Sequence, residues 1–177
     1  MGGDYGTLSP PYLIHSFANA GLWMMPVPIF RGTLSATLKH CAGQDILHLA
    51  SLLEAHEREA LGLTEIQREA SVSSIHLYIF PMVDRQAPAS CRPLVDLAAK
   101  LAEKLHAGES VAVHCKAGIG RSGMLVAIIL GRLGFDLPRA LHTIRANRGL
   151  QAPNTPSQLE WMEKNWAALT AAPNSPG

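Results

Sequence analysis

Residues 110–133 read SVAVHCKAGIGRSGMLVAIILGRL, and this stretch decides the fold. Its apolar start, Ser110–His114, predicts a buried strand, and Ser122–Leu133 predicts a helix that is buried almost all round. A glycine-rich loop between a strand and a helix can turn its backbone N–H groups inward, while the helix N-terminus adds positive potential. The segment therefore predicts a cradle for an anion.

Two side chains in this loop are suited to chemistry on a bound anion. Arg121 can present a planar, bidentate guanidinium to a phosphate-like group. Cys115 begins the loop, where the same donors and Arg121 would favour the thiolate over the thiol. A thiolate at the base of an anion cradle can attack the bound phosphorus itself.

Three other known motifs overlap these residues, but the neighbouring sequence does not match any of them fully. Residues 118–123 match the G-x-G-x-x-G dinucleotide pattern, but the next predicted element is another helix rather than the second strand of a βαβ unit. A nucleotide-binding P-loop requires Lys-Ser/Thr where Met124-Leu125 stand. A nucleophile elbow requires glycine where Met124 follows Ser122 by two positions.

Strands and helices alternate along the rest of the chain. The apolar runs predict strands over Asp45–Leu53 and Ile75–Phe80, and a proline-bounded loop follows over Pro81–Arg92. Helices are predicted over Glu54–Leu61, Thr64–Ala70, Pro93–Ala107, Asp136–Arg148 and Thr155–Leu169. This order predicts an α/β fold with a central, mostly parallel sheet flanked by helices.

Some local expectations rest on single residues. Residues 1–21 are rich in Gly, Pro and Asn and are expected to be irregular. Leu22–Phe30 contains two prolines, which would confine a strand there to a sheet edge. Thr64 with Gln67, and Thr155 with Gln158, both match the capping-box pattern.

The composition excludes several classes of protein. The chain has 177 residues, of which 47% are hydrophobic and 16% charged, with a formal net charge of +1. These values exclude a disordered polyelectrolyte, and they give no long-range field for attracting nucleic acid or an anionic membrane. Three cysteines are too few for a disulfide scaffold and favour a reducing compartment.

The same features lead to expectations about organisation and location. We expect a single domain over residues 1–170 and a flexible tail over 171–177. Residues 1–30 contain neither Lys nor Arg, so we expect no secretory signal there, and Met124–Leu130 is too short an apolar run to span a bilayer. We expect a monomer in the cytoplasm, with the nucleus as an alternative, and no cofactor. We also expect no metal site, because the cysteines and histidines lack metal-site spacing.

His, Cys, five residues, Arg and Ser in this order resemble the signature of the cysteine-based protein phosphatases. Two further segments, Leu49–Leu63 and Ile79–Pro88, are similar to parts of the atypical dual-specificity and kinase-associated phosphatases. The second resembles their general-acid loop. The similarity covers about residues 45–165 and implies a protein-tyrosine-phosphatase-like fold.

The resemblance assigns roles to individual residues. Cys115 would be the nucleophile, Arg121 would bind the phosphate, and Asp84 would protonate the leaving oxygen. Ser122 would hydrogen-bond the sulfur, and His114 would either fix the neighbourhood of the cysteine or act on it electrostatically. The loop that surrounds the phosphate would consist of Lys116, Ala117, Gly118, Ile119, Gly120 and Arg121.

Other residues leave alternatives open. Asn154 and Gln158 fall where relatives place water-positioning glutamines, but Gln158 also fits the capping box. Glu54–Glu59 is expected to form a solvated face. Whether Cys41 or Cys91 protects Cys115 by a disulfide under oxidants is open.

These residues together predict a dual-specificity protein phosphatase that acts on phosphoproteins through a cysteinyl-phosphate intermediate, with neither nucleic acid nor membrane as partner. A phosphoinositide phosphatase is an alternative, because Lys116 after the cysteine resembles the loop of the phosphoinositide phosphatases. A phosphoprotein-binding module with negligible turnover is the alternative from a different class.

Overall fold

The computed structural model describes residues 9–171, and a single five-stranded sheet lies at its centre. The strands are β1 (Tyr12–Phe17), β2 (Ala20–Met25), β3 (Ile46–Ser51), β4 (His76–Ile79) and β5 (Ser110–His114). Their order across the sheet is β1-β2-β5-β3-β4. Only β1 and β2 pair antiparallel; the other three pairs are parallel. The predicted α/β class with a mostly parallel sheet is confirmed.

Helices cover both faces of this sheet. They are α1 (Leu34–Ala42), α2 (Ala55–Ala60), α3 (Ile66–Val72), α4 (Arg92–His106), α5 (Gly120–Arg132), α6 (Leu137–Arg148) and α7 (Pro156–Thr170). The larger apolar cluster joins one face of the sheet to α4, α5, α6 and α7. A smaller cluster joins the other face to α1 and α3. Within the described residues, no helix is both long and apolar enough to cross a bilayer.

The position of β5 explains why residues 110–133 decide the fold. Every residue of β5 is buried, because β2 and β3 flank it in parallel and helices cover both of its faces. Parallel strands buried on both faces read as continuous apolar runs. Cys115 therefore begins its loop at the carboxyl edge of the central strand, where ligands bind in open α/β sheets.

Two expectations about the N-terminal part are wrong. Tyr12–Phe17 forms β1 although residues 1–21 were expected to be irregular, and residues 1–8 lie outside the described part. β2 is an interior strand, not an edge strand. Both of its prolines, Pro26 and Pro28, come after the strand has ended at Met25, so neither removes a hydrogen-bond donor from the sheet.

Both predicted capping boxes are also wrong, although the helices exist. Helix α3 starts one residue later than the pattern implies, with Glu65 as its N-cap. Helix α7 has Thr155 as its N-cap, but the threonine hydroxyl makes no capping hydrogen bond. By contrast, Asp136 accepts a hydrogen bond from the Arg139 amide and caps α6 as the sequence indicates. The expected domain limits stay predictions, and residues 172–177 of the expected tail lie outside the described residues.

Candidate active site

A cavity of about 460 Å³ opens at the carboxyl edge of the sheet. Three segments line it: residues of the loop 115–120, here called the cradle loop; Asp84 and Arg85 of the loop 80–91, here called the acid loop; and residues 154–158 at the start of α7. The cradle loop follows β5 and the acid loop follows β4. Parallel strands therefore bring the predicted nucleophile and the predicted acid to one edge.

The cradle loop packs tightly against the last residue of β2 and the segment that follows it. Cys115 lies at its start with only 3% of its surface exposed, and it lines the cavity. The Val27 amide donates a hydrogen bond to the Lys116 carbonyl at 3.0 Å. Gly118 has a φ of +66°, and a Cβ there would lie 2.5 Å from the Met25 carbonyl. Only glycine fits this position, because both the left-handed backbone and the close approach exclude a side chain.

Arg148, at the end of α6, holds the cradle loop from outside. Its Nε donates to the Gly118 carbonyl at 3.1 Å and its Nη2 to the Ala117 carbonyl at 3.3 Å. The guanidinium carbon lies 3.9 Å from the centre of the Tyr12 ring. The carbonyl and N–H of one peptide group point in opposite directions. Because Arg148 binds the Ala117 and Gly118 carbonyls, the N–H groups of the same two peptide units, those of Gly118 and Ile119, point away from Arg148.

Arg121 is buried with 1% of its surface exposed, and a carboxylate neutralises it. Its Nη1 and Nη2 donate to the two carboxylate oxygens of Glu57 at 2.6 and 2.9 Å. Nη1 also donates to the Met82 carbonyl at 3.0 Å. Burial alone would lower the pKa of Arg121, but the Glu57 hydrogen bonds and the nearby negative charges raise it. The guanidinium stays charged, and its buried Nε has no partner among the described residues.

Glu57 is a site residue that the sequence reasoning missed, and its assignment to a solvated face is wrong. Its side chain is only 12% exposed, and besides Arg121 it accepts from the Glu54 amide at 2.9 Å. The hydrogen bonds from Arg121, followed by that of the Glu54 amide, lower the pKa of Glu57 against the opposing effect of burial. One signal could have found it. A buried arginine requires a carboxylate, and Glu57 closely follows a strand that ends at the same edge.

Asp84 lies in the acid loop, with its side chain 54% exposed at the cavity. One of its oxygens is 3.3 Å from Arg121 Nη2. Because Arg121 also binds the Met82 carbonyl, two attachments hold this loop over the cavity. The structure therefore brings the predicted acid, Asp84, to the predicted phosphate ligand, Arg121.

His114 is fully buried beside the nucleophile candidate. Its Nδ1 lies 3.2 Å from the Cys115 carbonyl oxygen, an acceptor, so Nδ1 carries the proton. Burial lowers the pKa of His114 to about 4, although the bond to Cys115 opposes this and Arg121 adds to it. The imidazole is neutral near pH 7. Of the two roles left open, this geometry agrees with fixing the backbone at Cys115 rather than with a positive charge.

Gln158 belongs to the cavity and not to a capping box. It is fully buried, its Nε2 lies 3.5 Å from the Gln86 carbonyl, and its Oε1 has no partner among the described residues. A Cβ at Gly120 would lie 3.1 Å from that Oε1, so the amide reaches the end of the cradle loop. Asn154 is exposed and lines the same cavity.

The structure also gives the positions of Ser122 and of the three cysteines. Ser122 is buried in the first turn of α5, and its hydroxyl is unpartnered within residues 9–171. All three cysteines are free. Burial raises the pKa of Cys41 to about 12, and this thiol contacts the Met25 sulfur at 3.8 Å. In the part of the chain that the structure describes, His, Cys, Asp and Glu side chains do not gather in threes as a metal ion would need.

Comparison with protein families matches residues 35–165 to the model described as dual specificity phosphatase, catalytic domain. Among curated proteins, the chain is similar to human dual specificity protein phosphatase 22. The two are 30% identical over 129 residues, which is 66% of this chain and 68% of the relative.

Solved structures share the fold at lower sequence identity. Kinase associated phosphatase, solved with a serine in place of its catalytic-site cysteine, matches with a TM-score of 0.73 and 19% identity over 92% of this chain and 96% of its own. PTPMT1 matches with a TM-score of 0.73 and 20% identity over 90% of this chain and 96% of its own. The expected protein-tyrosine-phosphatase-like fold is confirmed.

Proposed function

The chain belongs to the dual specificity phosphatase family and is a cysteine-based protein phosphatase, and we propose that it hydrolyses both phosphotyrosine and phosphoserine or phosphothreonine in proteins through a cysteinyl-phosphate intermediate. One observation carries the proposal. Cys115 and Asp84 line one cavity, and Asp84 lies 3.3 Å from the buried guanidinium of Arg121.

In the first step, the Cys115 sulfur attacks the phosphorus of the bound ester. The S–P bond forms as the P–O bond to the substrate side chain breaks, and Asp84 gives its proton to the departing oxygen. The backbone amides of the cradle loop and the Nε of Arg121 bind the phosphoryl oxygens, whose charge spreads in the transition state. This Nε is the free donor of a guanidinium whose other two nitrogens are held by Glu57, Met82 and Asp84.

In the second step, water releases phosphate from the sulfur. The Asp84 carboxylate accepts a proton from the attacking water, a P–O bond forms, and the S–P bond breaks to regenerate the thiolate. Ser122 donates a hydrogen bond to the departing sulfur. The Gln158 amide, which reaches the end of the cradle loop, orients the water.

Hydrolysis of an aryl phosphate in excess EDTA tests this function. We expect turnover by the wild type and none by Cys115→Ser, because a serine hydroxyl does not ionise near neutral pH. Cys91→Ser is the matched control, since Cys91 is a partly exposed free thiol outside the cavity lining. Residual activity of Cys115→Ser comparable to that of the control would refute the mechanism.

Matched phosphopeptides test the range of substrates. Peptides that differ only in phosphotyrosine, phosphoserine or phosphothreonine should all be hydrolysed, with kcat/KM values measured side by side. Hydrolysis of the phosphotyrosine peptide alone would limit the function to tyrosine. Tight binding of all three peptides without release of phosphate would instead favour a binding module.

A further inference from the structure

Two cations at the mouth of the cavity have no role in the steps proposed above. Arg85 of the acid loop and Lys116 of the cradle loop both line the cavity and are both exposed. Among residues 9–171 neither forms an ion pair. Both positive charges are therefore available to a ligand in the cavity.

The acidic groups nearby do not neutralise these two cations. Asp84 directs an oxygen to Arg121, and Glu57 gives both of its oxygens to the same guanidinium. The charge of Arg121 is thus offset from within the protein. Lys116 and Arg85 are left as uncompensated charges on two different loops that border one cavity.

The backbone at Arg85 supports a functional position. Its φ is +61°, a left-handed conformation that is unfavourable for a residue other than glycine, asparagine or aspartate. Arg85 directly follows Asp84 in the same turn, so the arginine stays beside the acid wherever the acid loop lies. Strain of this kind is kept where the surrounding structure requires it, often beside a ligand.

We propose that Arg85 and Lys116 form a subsite for an acidic side chain next to the phosphorylated residue, so that acidic phosphopeptides are the preferred substrate class. This inference rests on the proposed function and deepens it. Neighbouring residues of an extended peptide are about 3.3 Å apart along the chain. A carboxylate one or two residues from the phosphate therefore reaches the rim of a cavity whose base is Cys115.

Two phosphotyrosine peptides test the subsite, one with glutamate and the other with glutamine on both sides of the phosphorylated residue. We expect the wild type to hydrolyse the glutamate peptide with a kcat/KM about fivefold higher, the range of one or two exposed ion pairs. The difference should lie in KM. It should also shrink as the ionic strength rises, because salt screens exposed charges.

Variants separate charge from backbone strain. Arg85→Asn removes the charge but suits a left-handed backbone, and it should reduce the preference to about twofold or less. Arg85→Lys keeps a charge and should retain most of it. Lys116→Gln combined with Arg85→Asn should abolish the preference. Arg68→Gln, which removes an exposed arginine of α3 outside the cavity lining, should leave the preference of the wild type.

Three outcomes would overturn the subsite while leaving the phosphatase activity intact. The first is equal hydrolysis of both peptides by the wild type. The second is an equal loss on both peptides in Arg85→Asn, which would assign the cations to the phosphate itself. The third is a higher kcat/KM for a phosphoinositide with two phosphates than for either peptide. Failure to hydrolyse either peptide in EDTA would instead refute the proposed function.

Discussion

Arg121 is a buried cation, and both its stability in the interior and the orientation of its guanidinium depend on Glu57. A buried charge that loses its partner costs about 3–5 kcal/mol, and the guanidinium orientation that leaves Nε free depends on both oxygens of Glu57. The same residue pair therefore affects both stability and catalysis. It joins helix α2 to the first turn of α5.

Glu57→Gln tests this dependence. We expect the free energy of unfolding to fall by about 2–3 kcal/mol, because the glutamine still accepts one hydrogen bond but leaves the buried charge with only the half-exposed Asp84 carboxylate, 3.3 Å away, as its counterion. We expect kcat for an aryl phosphate to fall about tenfold or more, because the guanidinium loses its fixed position. Thermal unfolding and steady-state kinetics measure the two effects.

Glu59→Gln is the matched control, since Glu59 is an exposed carboxylate on the same short helix. It should change neither quantity. If Glu57→Gln behaves like Glu59→Gln, Glu57 does not position Arg121.

At the scale of elements, the cradle loop is shaped by contacts with segments distant in the chain. Met25 at the end of β2 and Val27 just after it contact the loop on one side. On the other side Arg148 of α6, itself against Tyr12 of β1, binds its carbonyls. The loop thus depends on three elements other than the strand and helix that it connects: β2 with the segment after it, α6 and β1.

Gly118→Ala tests how closely the loop must pack. The added methyl group would meet the Met25 carbonyl at 2.5 Å, so the loop must shift. We expect kcat/KM for an aryl phosphate to fall about a hundredfold, the scale of an ångström-sized misplacement. Binding of orthovanadate, measured by inhibition, should weaken in parallel.

Gly62→Ala provides the comparison for backbone strain. Gly62 also has a positive φ, of +71°, but a Cβ there meets nothing within 4 Å. It should cost about 1 kcal/mol in stability and leave catalysis unchanged. Equal activity of the two variants would mean that close packing against Met25 does not shape the cradle.

Local patterns predicted the elements well where the pattern and the burial agree. β5 and α5 are apolar almost throughout and lie at the centre of the molecule. β1 was missed because its residues His15 and Ser16 lack a clear apolar alternation. Its strand conformation comes from antiparallel pairing with β2, which a local pattern does not reveal.

The same distinction applies to the site. Cys115 and Arg121 stand within one contiguous motif, and Asp84 follows a predicted strand in a segment that resembles a general-acid loop, so the sequence alone predicted a shared site for all three. Glu57 and Arg148 come from segments 64 and 30 residues away from their partners. Glu57 reaches Arg121, and Arg148 reaches the cradle loop, only through the parallel sheet and the packing of α6. The carboxylate that a buried arginine requires is the one signal for Glu57, and no motif in the sequence indicates Arg148.

At the scale of the whole molecule, the buried His114 makes the stability of the fold depend on pH. Burial lowers its pKa to about 4 from the usual 6.5, so between these values the unfolded chain binds a proton that the folded protein does not. The contribution of neutral His114 to the free energy of unfolding is therefore fully present above about pH 6.5 and is lost as the pH falls toward 4. The shift corresponds to about 3 kcal/mol.

Urea unfolding at a series of pH values measures this loss. His114→Asn should flatten the dependence, whereas His142→Asn, at an exposed position of α6, should leave it unchanged. His48 adds a contribution of the same sign, because burial lowers its pKa as well, against the opposing effect of Glu109. An unchanged slope in His114→Asn would show that this imidazole is not kept neutral by burial.

The most direct test of the account is to trap the phosphate on the enzyme. Acid quenching during turnover of a radiolabelled phosphopeptide, followed by digestion and mass spectrometry, should place the label on the sulfur of Cys115. Asp84→Asn should still form the adduct on a substrate with a good leaving group and should break it down more slowly. Label on another residue, or turnover without any label on the protein, would contradict the proposed chemistry at Cys115.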